Sequence, residues 1–393
     1  MKEFKAIIAA YNKLELPNRK VALATVVKVT GSSYRSPGAR MLIMDDGKWV
    51  GSISGGCLEG DALRKARQVM TSAQAKLVTY DTREESNQNL GISLGCNGVI
   101  DVLIEPIIET DRYNPIHLFE KLVRLNTPAV IATACANDAF ISKKIIATET
   151  AELANMFDDF HLENDIRKDL TQIFDSPQSN INTYKTKNST TEVFLELIQP
   201  SISLIIFGGG FDARPVSQLA NALGWDVTVT DECVAHIAPI FFPEANTLSL
   251  CHRDTFDQEI SVTPFTACVL MSHNYEYDRD VLKKLVKSTS PYIGILGPRK
   301  RFDKMVAEFE QEGIKLLEET TRKIHSPIGL DIGAETPDEI ALSIVSEIQS
   351  KFSKRSGGFL KYRQGPIHYR DQNGDQVFKQ VYINSPETNE ASQ

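Results

Sequence analysis

The stretch "LIIFGGGFDARPVSQLANALGWDVTVTDE" (Leu204–Glu232) decides the fold of the second half of the chain. An apolar run ends on three glycines, an amphipathic segment follows, and a β-branched run closes on two acids. That order reads as strand, turn, helix and strand, one βαβ unit. Gly208, Gly210 and Ala213 stand at G-x-G-x-x-G/A spacing. The first glycine turns the chain, the second lets a pyrophosphate approach the helix N-terminus, and the small third residue permits close helix–strand packing. Asp231, at the end of the second strand, is the acid expected to accept hydrogen bonds from a ribose. The competing reading is a scaffold that keeps the turn for packing and binds no dinucleotide.

Outward toward the C-terminus, "FTACVLMS" (Phe265–Ser272) and "YIGILG" (Tyr292–Gly297) supply further apolar strands. "TPDEIALSIVSEIQSKF" (Thr336–Phe352) is a helix with a threonine cap and acids in its first turn. Residues 196–352 are thus expected to form a Rossmann-like, doubly wound parallel-sheet domain, and residues 353–393 a C-terminal extension without apolar periodicity. Toward the N-terminus, Glu152 to about Lys187 is polar and glycine-free, with one amphipathic helix around "LENDIRKDLTQIF" and then a Ser/Asn/Thr-rich connector. Residues 1–195 before the boundary mix strands ("VALATVVKVT", "GARMLIMDDGKWVGSIS" around an Asp46-Gly47 turn, "VIDVLIEPI", "AVIATAC") with helices ("LEGDALRKARQVM", "PIHLFEKLVRLN"). This N-terminal domain is mixed α/β (α+β). No internal repeat of fixed period is visible.

The 393 residues carry a formal net charge of -8, which argues against a general nucleic-acid binder, since phosphate affinity needs clustered Lys and Arg. The six cysteines form no C-x-x-C pair, so reduced thiols in a cytoplasm are expected rather than a disulfide framework. The charged, amphipathic N-terminus reads as a first helix and not as a signal peptide, and no apolar run reaches the roughly 20 residues of a membrane span.

Chemistry-bearing residues gather in both halves. In the first, "GSSYRSPGARM" sets Ser32, Ser33, Arg35 and Arg40 around a Pro37-Gly38 turn, as if to bind an anion. "SISGGCLEGD" places Cys57 behind Gly55 and Gly56 and before Glu59, at a helix start that lowers a thiol pKa; "GISLGCNGVID" places Cys96 beside a bend. Either cysteine reads equally as a small buried hydrophobe. In the second half, His273 follows a strand as an acid/base or solvated loop residue, and Arg299 to Arg301 follow another as an anion contact or a solvated helix terminus. Cys233, His236, Cys251 and His252 lack the paired spacing of a structural zinc site, and no metal ligands are assigned.

"GSSYRSPGARMLI", "GSISGGCLEGD", "LGCNG", the opening βαβ stretch, "YIGILGPRKR", "IHSPIGLDIGAETPDEIALSIVSEI" and "RSGGFLKYRQGPIH" stand in the order of the XdhC/CoxI family, the xanthine dehydrogenase accessory factors, which the chain resembles to His368. The resemblance implies a chaperone that binds the molybdenum cofactor (molybdopterin), protects it while a cysteine desulfurase supplies its terminal sulfur, and hands it to an apo molybdenum hydroxylase. Cys57 and Cys96 match the family's cysteines, with Asn97 where the family has glycine. Phe211 stands where the family often has histidine after the glycine turn. Cofactor contacts are therefore expected at Ser32, Arg35, Arg40, Gly55, Gly56, Cys57, Glu59 and Cys96, and nucleotide contacts at Gly208, Gly210 and Asp231. A homodimer is expected from the prevalence of two-fold assemblies.

Two other functions compete. An NAD(P)-dependent oxidoreductase would use the Gly208 turn, Asp231 and His273. Xanthine dehydrogenase activity in the chain itself would require iron–sulfur ligation, for which the cysteines supply no motif.

Overall fold

The computed structural model describes residues 1–14, 19–31, 33–82, 98–136, 139–175, 179–186 and 189–363. Ser32 and Cys96 lie outside them. The chain divides into two compact units, Met1–Pro200 and Ser201–Gln393.

In the first unit, helix α1 (Lys2–Tyr11) precedes strands β1 (Val21–Gly31), β2 (Arg40–Met44) and β3 (Trp49–Gly51), helix α2 (Glu59–Ser72), and strands β4 (Lys76–Asp81) and β5 (Gly98–Ile107). Helix α3 (Pro115–Leu122) then precedes β6 (Ala129–Ala134), β7 (Lys144–Thr148), β8 (Glu152–Asn155), helix α4 (Phe160–Asp175), β9 (Asn180–Lys185) and β10 (Thr190–Ile198). The strand orders are β3-β2-β1-β5-β4 and β8-β7-β6-β10-β9, with antiparallel pairing throughout. The central strand β1 is apolar and β-branched because both its faces are covered, and its first seven residues are buried.

The second sheet therefore repeats the first: a helix, three strands, a helix, two strands, in the same order and sense. Equivalent positions show how the copies meet. Thr25 of β1 pairs with Arg40, the first residue of β2, and Thr133 of β6 pairs with Lys144, the first of β7. Glu105 and Glu196 each stand two residues before the end of β5 and β10. Arg40 grips Glu196 of the other copy, with Nη1 2.9 Å from Oε1, and Lys144 Nζ reaches Oε2 of Glu105 at 2.5 Å. The pairs are buried and reciprocal, as in an interface with approximate two-fold symmetry. Phe4 of α1 and Phe119 of α3 stack at 4.3 Å, and the Arg40 guanidinium lies over both rings. The repeat is one of fold and not of fixed sequence period: element order and buried charges recur, while the residue sequence does not.

The polar connector expected before the second domain is a second correction. Asn180–Lys185 is edge strand β9, in which only Tyr184 is buried, and the division expected at 195/196 falls inside β10. An edge strand that keeps polar residues toward water leaves little apolar signal.

The second unit runs β11 (Ser203–Phe207), α5 (Ala213–Ala222), β12 (Asp226–Asp231), β13 (Thr247–Leu250), α6 (Phe256–Glu259), β14 (Thr266–Leu270), α7 (Tyr275–Leu285), β15 (Tyr292–Ile295), α8 (Arg299–Gln311), α9 (Glu318–Thr321), β16 (Ile324–His325) and α10 (Pro337–Phe352). Its sheet is parallel, ordered β13-β12-β11-β14-β15-β16. α5 and α10 bury Val216, Ala220, Ile344 and Ile348 on one face, while α7 and α8 bury Val281, Leu285, Met305 and Phe309 on the other. This is the doubly wound arrangement read from Leu204–Glu232, with its switch point between β11 and β14. The Thr336 cap on α10 closes into a full capping box with Glu339.

Candidate functional site

The loop from Ser52 to Leu58, between β3 and α2, is organised from inside by one carboxylate. Glu59 Oε1 accepts from the Ser52 hydroxyl at 2.8 Å and from the N–H groups of Ile53, Ser54 and Gly55 at 3.2, 3.0 and 3.3 Å. Oε2 accepts from the Ser54 hydroxyl at 2.5 Å and from the N–H groups of Gly56 and Leu58 at 3.0 and 3.1 Å. Burial pushes this carboxyl up, and the hydrogen bonds from Ser54, Ser52 and the loop amides more than offset it, lowering its pKa to about 2. Glu59, expected to touch a ligand, is buried with both oxygens turned into the loop. It is a positioning residue.

Gly55 and Gly56 both hold positive φ, 99° and 121°, which lets the chain curl round the carboxylate. Cys57 follows on the rim. It is half-buried against the apolar core of the first sheet, and its N–H donates to Ser54 Oγ at 3.1 Å. Tyr34 stands beside the same loop and is 67 % exposed.

The structure separates the two arginines. Arg35 is part-exposed and ties the loop to α1: Nε donates to the Ser52 carbonyl at 3.1 Å and Nη2 to Glu3 Oε1 at 2.5 Å. Arg40 is 4 % exposed and spends its guanidinium on Glu196 and on the Gly38 carbonyl at 2.7 Å. The expected anion contact at Arg40 is therefore corrected: its charge belongs to the pairing of the two sheets. Glu3, Glu105, Lys144 and Glu196 were not singled out in the sequence, because nothing local distinguishes a charge that will be buried against a distant partner.

In the second unit the glycine turn serves packing. Gly208 has φ 111°, and a Cβ there would stand 2.4 Å from Ser272 Cα; a Cβ on Gly209 would stand 2.6 Å from the His236 carbonyl oxygen. The acid expected to hold a ribose is turned into the protein. Asp231 accepts from the Gly209 and Cys233 N–H groups at 2.8 Å each, and His236 Nδ1 lies 3.1 Å from Oδ2. Asp231 thereby ties the turn together from inside, and no hydride-transfer step is derived from it. Gly210 lies next to His273, whose Nε2 is 3.2 Å from Asp212 Oδ2 across the switch point. Arg301 pairs with Asp278 at 2.7 Å, while Arg299 and Lys300 are exposed.

Among the described residues, no three His, Cys, Asp or Glu side chains are grouped to hold a metal ion. Burial pushes the Cys135 and Cys268 thiols up to about 12, which leaves both protonated at neutral pH. No helix among the described residues is long and apolar enough to cross a membrane.

Comparison with known proteins converges on one family. Residues 16–81 match the XdhC and CoxI family and residues 204–348 match the XdhC Rossmann domain. A Bacillus subtilis protein, named as a probable xanthine dehydrogenase subunit, is 30 % identical over 84 % of this chain and 92 % of its own length. The Escherichia coli molybdenum cofactor insertion chaperone PaoD is 22 % identical over 85 % of this chain and 84 % of its own. A crystal structure described as a xanthine dehydrogenase from Bacillus halodurans superposes with a TM-score of 0.72 at 27 % identity, covering 89 % of this chain and 97 % of that one.

Proposed function

The chain belongs to the XdhC and CoxI family, and from that premise we propose that it is an accessory carrier of the molybdenum cofactor. It holds molybdopterin as cargo, shelters it while a cysteine desulfurase supplies the terminal sulfur, and delivers it to a xanthine dehydrogenase-like apo-hydroxylase. The likeness to a protein named as a molybdenum cofactor insertion chaperone supports this reading. Assembly as a homodimer in the cytoplasm is part of the same proposal.

The observation that carries it is the placement of Cys57: a half-buried thiol on the rim of a loop fixed from inside by Glu59. Such a loop orders its contacts before the cargo arrives, which lowers the cost of binding. A thiol suits a soft metal or a sulfur donor, as an ammonium or hydroxyl would not. Gly55, Gly56, the part-exposed Arg35, Ser32 and Cys96 complete the proposed contacts. The second unit is assigned no cofactor.

Protein purified from cells that make the cofactor should carry pterin, read by absorption and mass spectrometry. Cys57→Ala should weaken retention roughly tenfold, the effect of losing about 1.4 kcal/mol. Wild-type protein that neither retains nor takes up molybdopterin would sink the carrier reading, and a Cys57→Ala variant that binds and delivers at wild-type level would sink the thiol's role.

A further inference from the structure

The repeated architecture of the first unit allows its two copies to be compared loop by loop. In the second copy, the loop between β6 and β7 carries Phe140, and the loop between β8 and α4 carries Phe157. These rings pack at 6.2 Å between centroids and 22° between planes, with Phe157 buried. The two loops thus close on each other through an aromatic pair and join the core beneath them.

In the first copy the corresponding loops lie between β1 and β2 and between β3 and α2. The first again brings an aromatic ring, Tyr34, to its neighbour. The neighbour answers with glycine: a Cβ on Gly55 would stand 3.6 and 3.7 Å from Tyr34 Cβ and Cγ, and a Cβ on Gly56 would meet nothing within 4 Å. This loop is longer, Ser52–Leu58 against Met156–Asp159, and Cys57 is its penultimate residue. Tyr34 remains 67 % exposed. Where the second copy packs ring on ring, the first presents a ring and a glycine floor to a ligand.

We propose that Tyr34 is the stacking platform for the pterin ring of the cargo, holding that ring beside Gly55 and Gly56 while Cys57 meets the metal-bearing end. The proposal rests on the carrier reading above and deepens it. A flat heteroaromatic ring offers a π face to tyrosine and lies flush on backbone that has no side chain. The platform is held in place: Arg35, the next residue, is bound to Glu3 and to the Ser52 carbonyl, and Glu59 fixes the glycine floor.

The test uses the full chain and molybdopterin released anaerobically from a molybdenum hydroxylase. Tyr34→Leu should weaken binding roughly tenfold, in line with aromatic stacking on single heterocycles, while Tyr34→Phe should bind as the wild type does. In Tyr34→Trp, the emission added to that of Trp49 and Trp225 should be quenched when molybdopterin binds. Wild-type affinity in Tyr34→Leu, or tryptophan emission that stays unchanged while the cargo binds, overturns the platform and leaves the carrier reading standing. No binding by wild-type protein overturns both.

Discussion

At the scale of single residues, Glu59 concentrates the energetics of the candidate site. Its carboxylate satisfies two hydroxyls and five backbone N–H groups, and a glutamine there would turn its NH2 toward some of those donors. Glu59→Gln should cost roughly 2–3 kcal/mol of stability, as hydrogen bonds to a charged group do. The pH dependence has a definite sign. The folded pKa is lowered to about 2 from an ordinary 4.5, so the contribution is complete above about pH 4.5 and is lost as pH falls toward 2. Urea unfolding from pH 7 to pH 2.5 should show a wild-type advantage over Glu59→Gln that holds to about pH 5 and then shrinks. An advantage that grew on acidification would contradict the assigned role. The sequence marked this loop through its glycines and cysteine, but it assigned Glu59 to the ligand. The error is physical in origin: Glu59 is bonded mainly to main-chain amides, and main-chain amides have no sequence signature.

At the scale of elements, the apolar runs were legible because a buried strand or helix face must be apolar along its length. β1, β2, β5, β6, β11 and β14 stand where those runs lie. β8 and β9 were not legible, since edge strands with one wet face carry polar residues that also suit a connector. The turn after β11 was legible as a shape but not as a task. Gly208 makes room for the chain crossing at Ser272, and Asp231 ties down the turn. Gly208→Ala should therefore destabilise the second unit by roughly 2–4 kcal/mol, through steric overlap and a positive φ that alanine adopts poorly. Its signature is a lowered melting temperature with molybdopterin binding by the first unit retained. An unchanged melting temperature would show that the crossing relaxes freely.

At the scale of the whole molecule, the division into a mixed α/β unit and a doubly wound unit follows from the change from antiparallel hairpin signals to a βαβ signal near residue 200. The repeated order inside the first unit does not follow from the sequence, because copies need conserve only the pattern of burial and a few buried charges. Arg40 and Lys144 differ in type yet occupy one position, each opposite a threonine, Thr25 or Thr133. That exchange of charges across an approximate two-fold has a consequence for how the fold originated. A face that binds its own duplicate is capable of self-recognition, and a chain half as long as the first unit would have satisfied it by dimerising. Residues 1–109, expressed alone, should accordingly sediment as a dimer, each Arg40 meeting the Glu105 of its twin, and Arg40→Glu should return the fragment to monomers. On this view the first unit is a homodimer whose two halves became covalently joined, after which one kept the open glycine loop at Gly55 and Gly56 and the other filled it with phenylalanine.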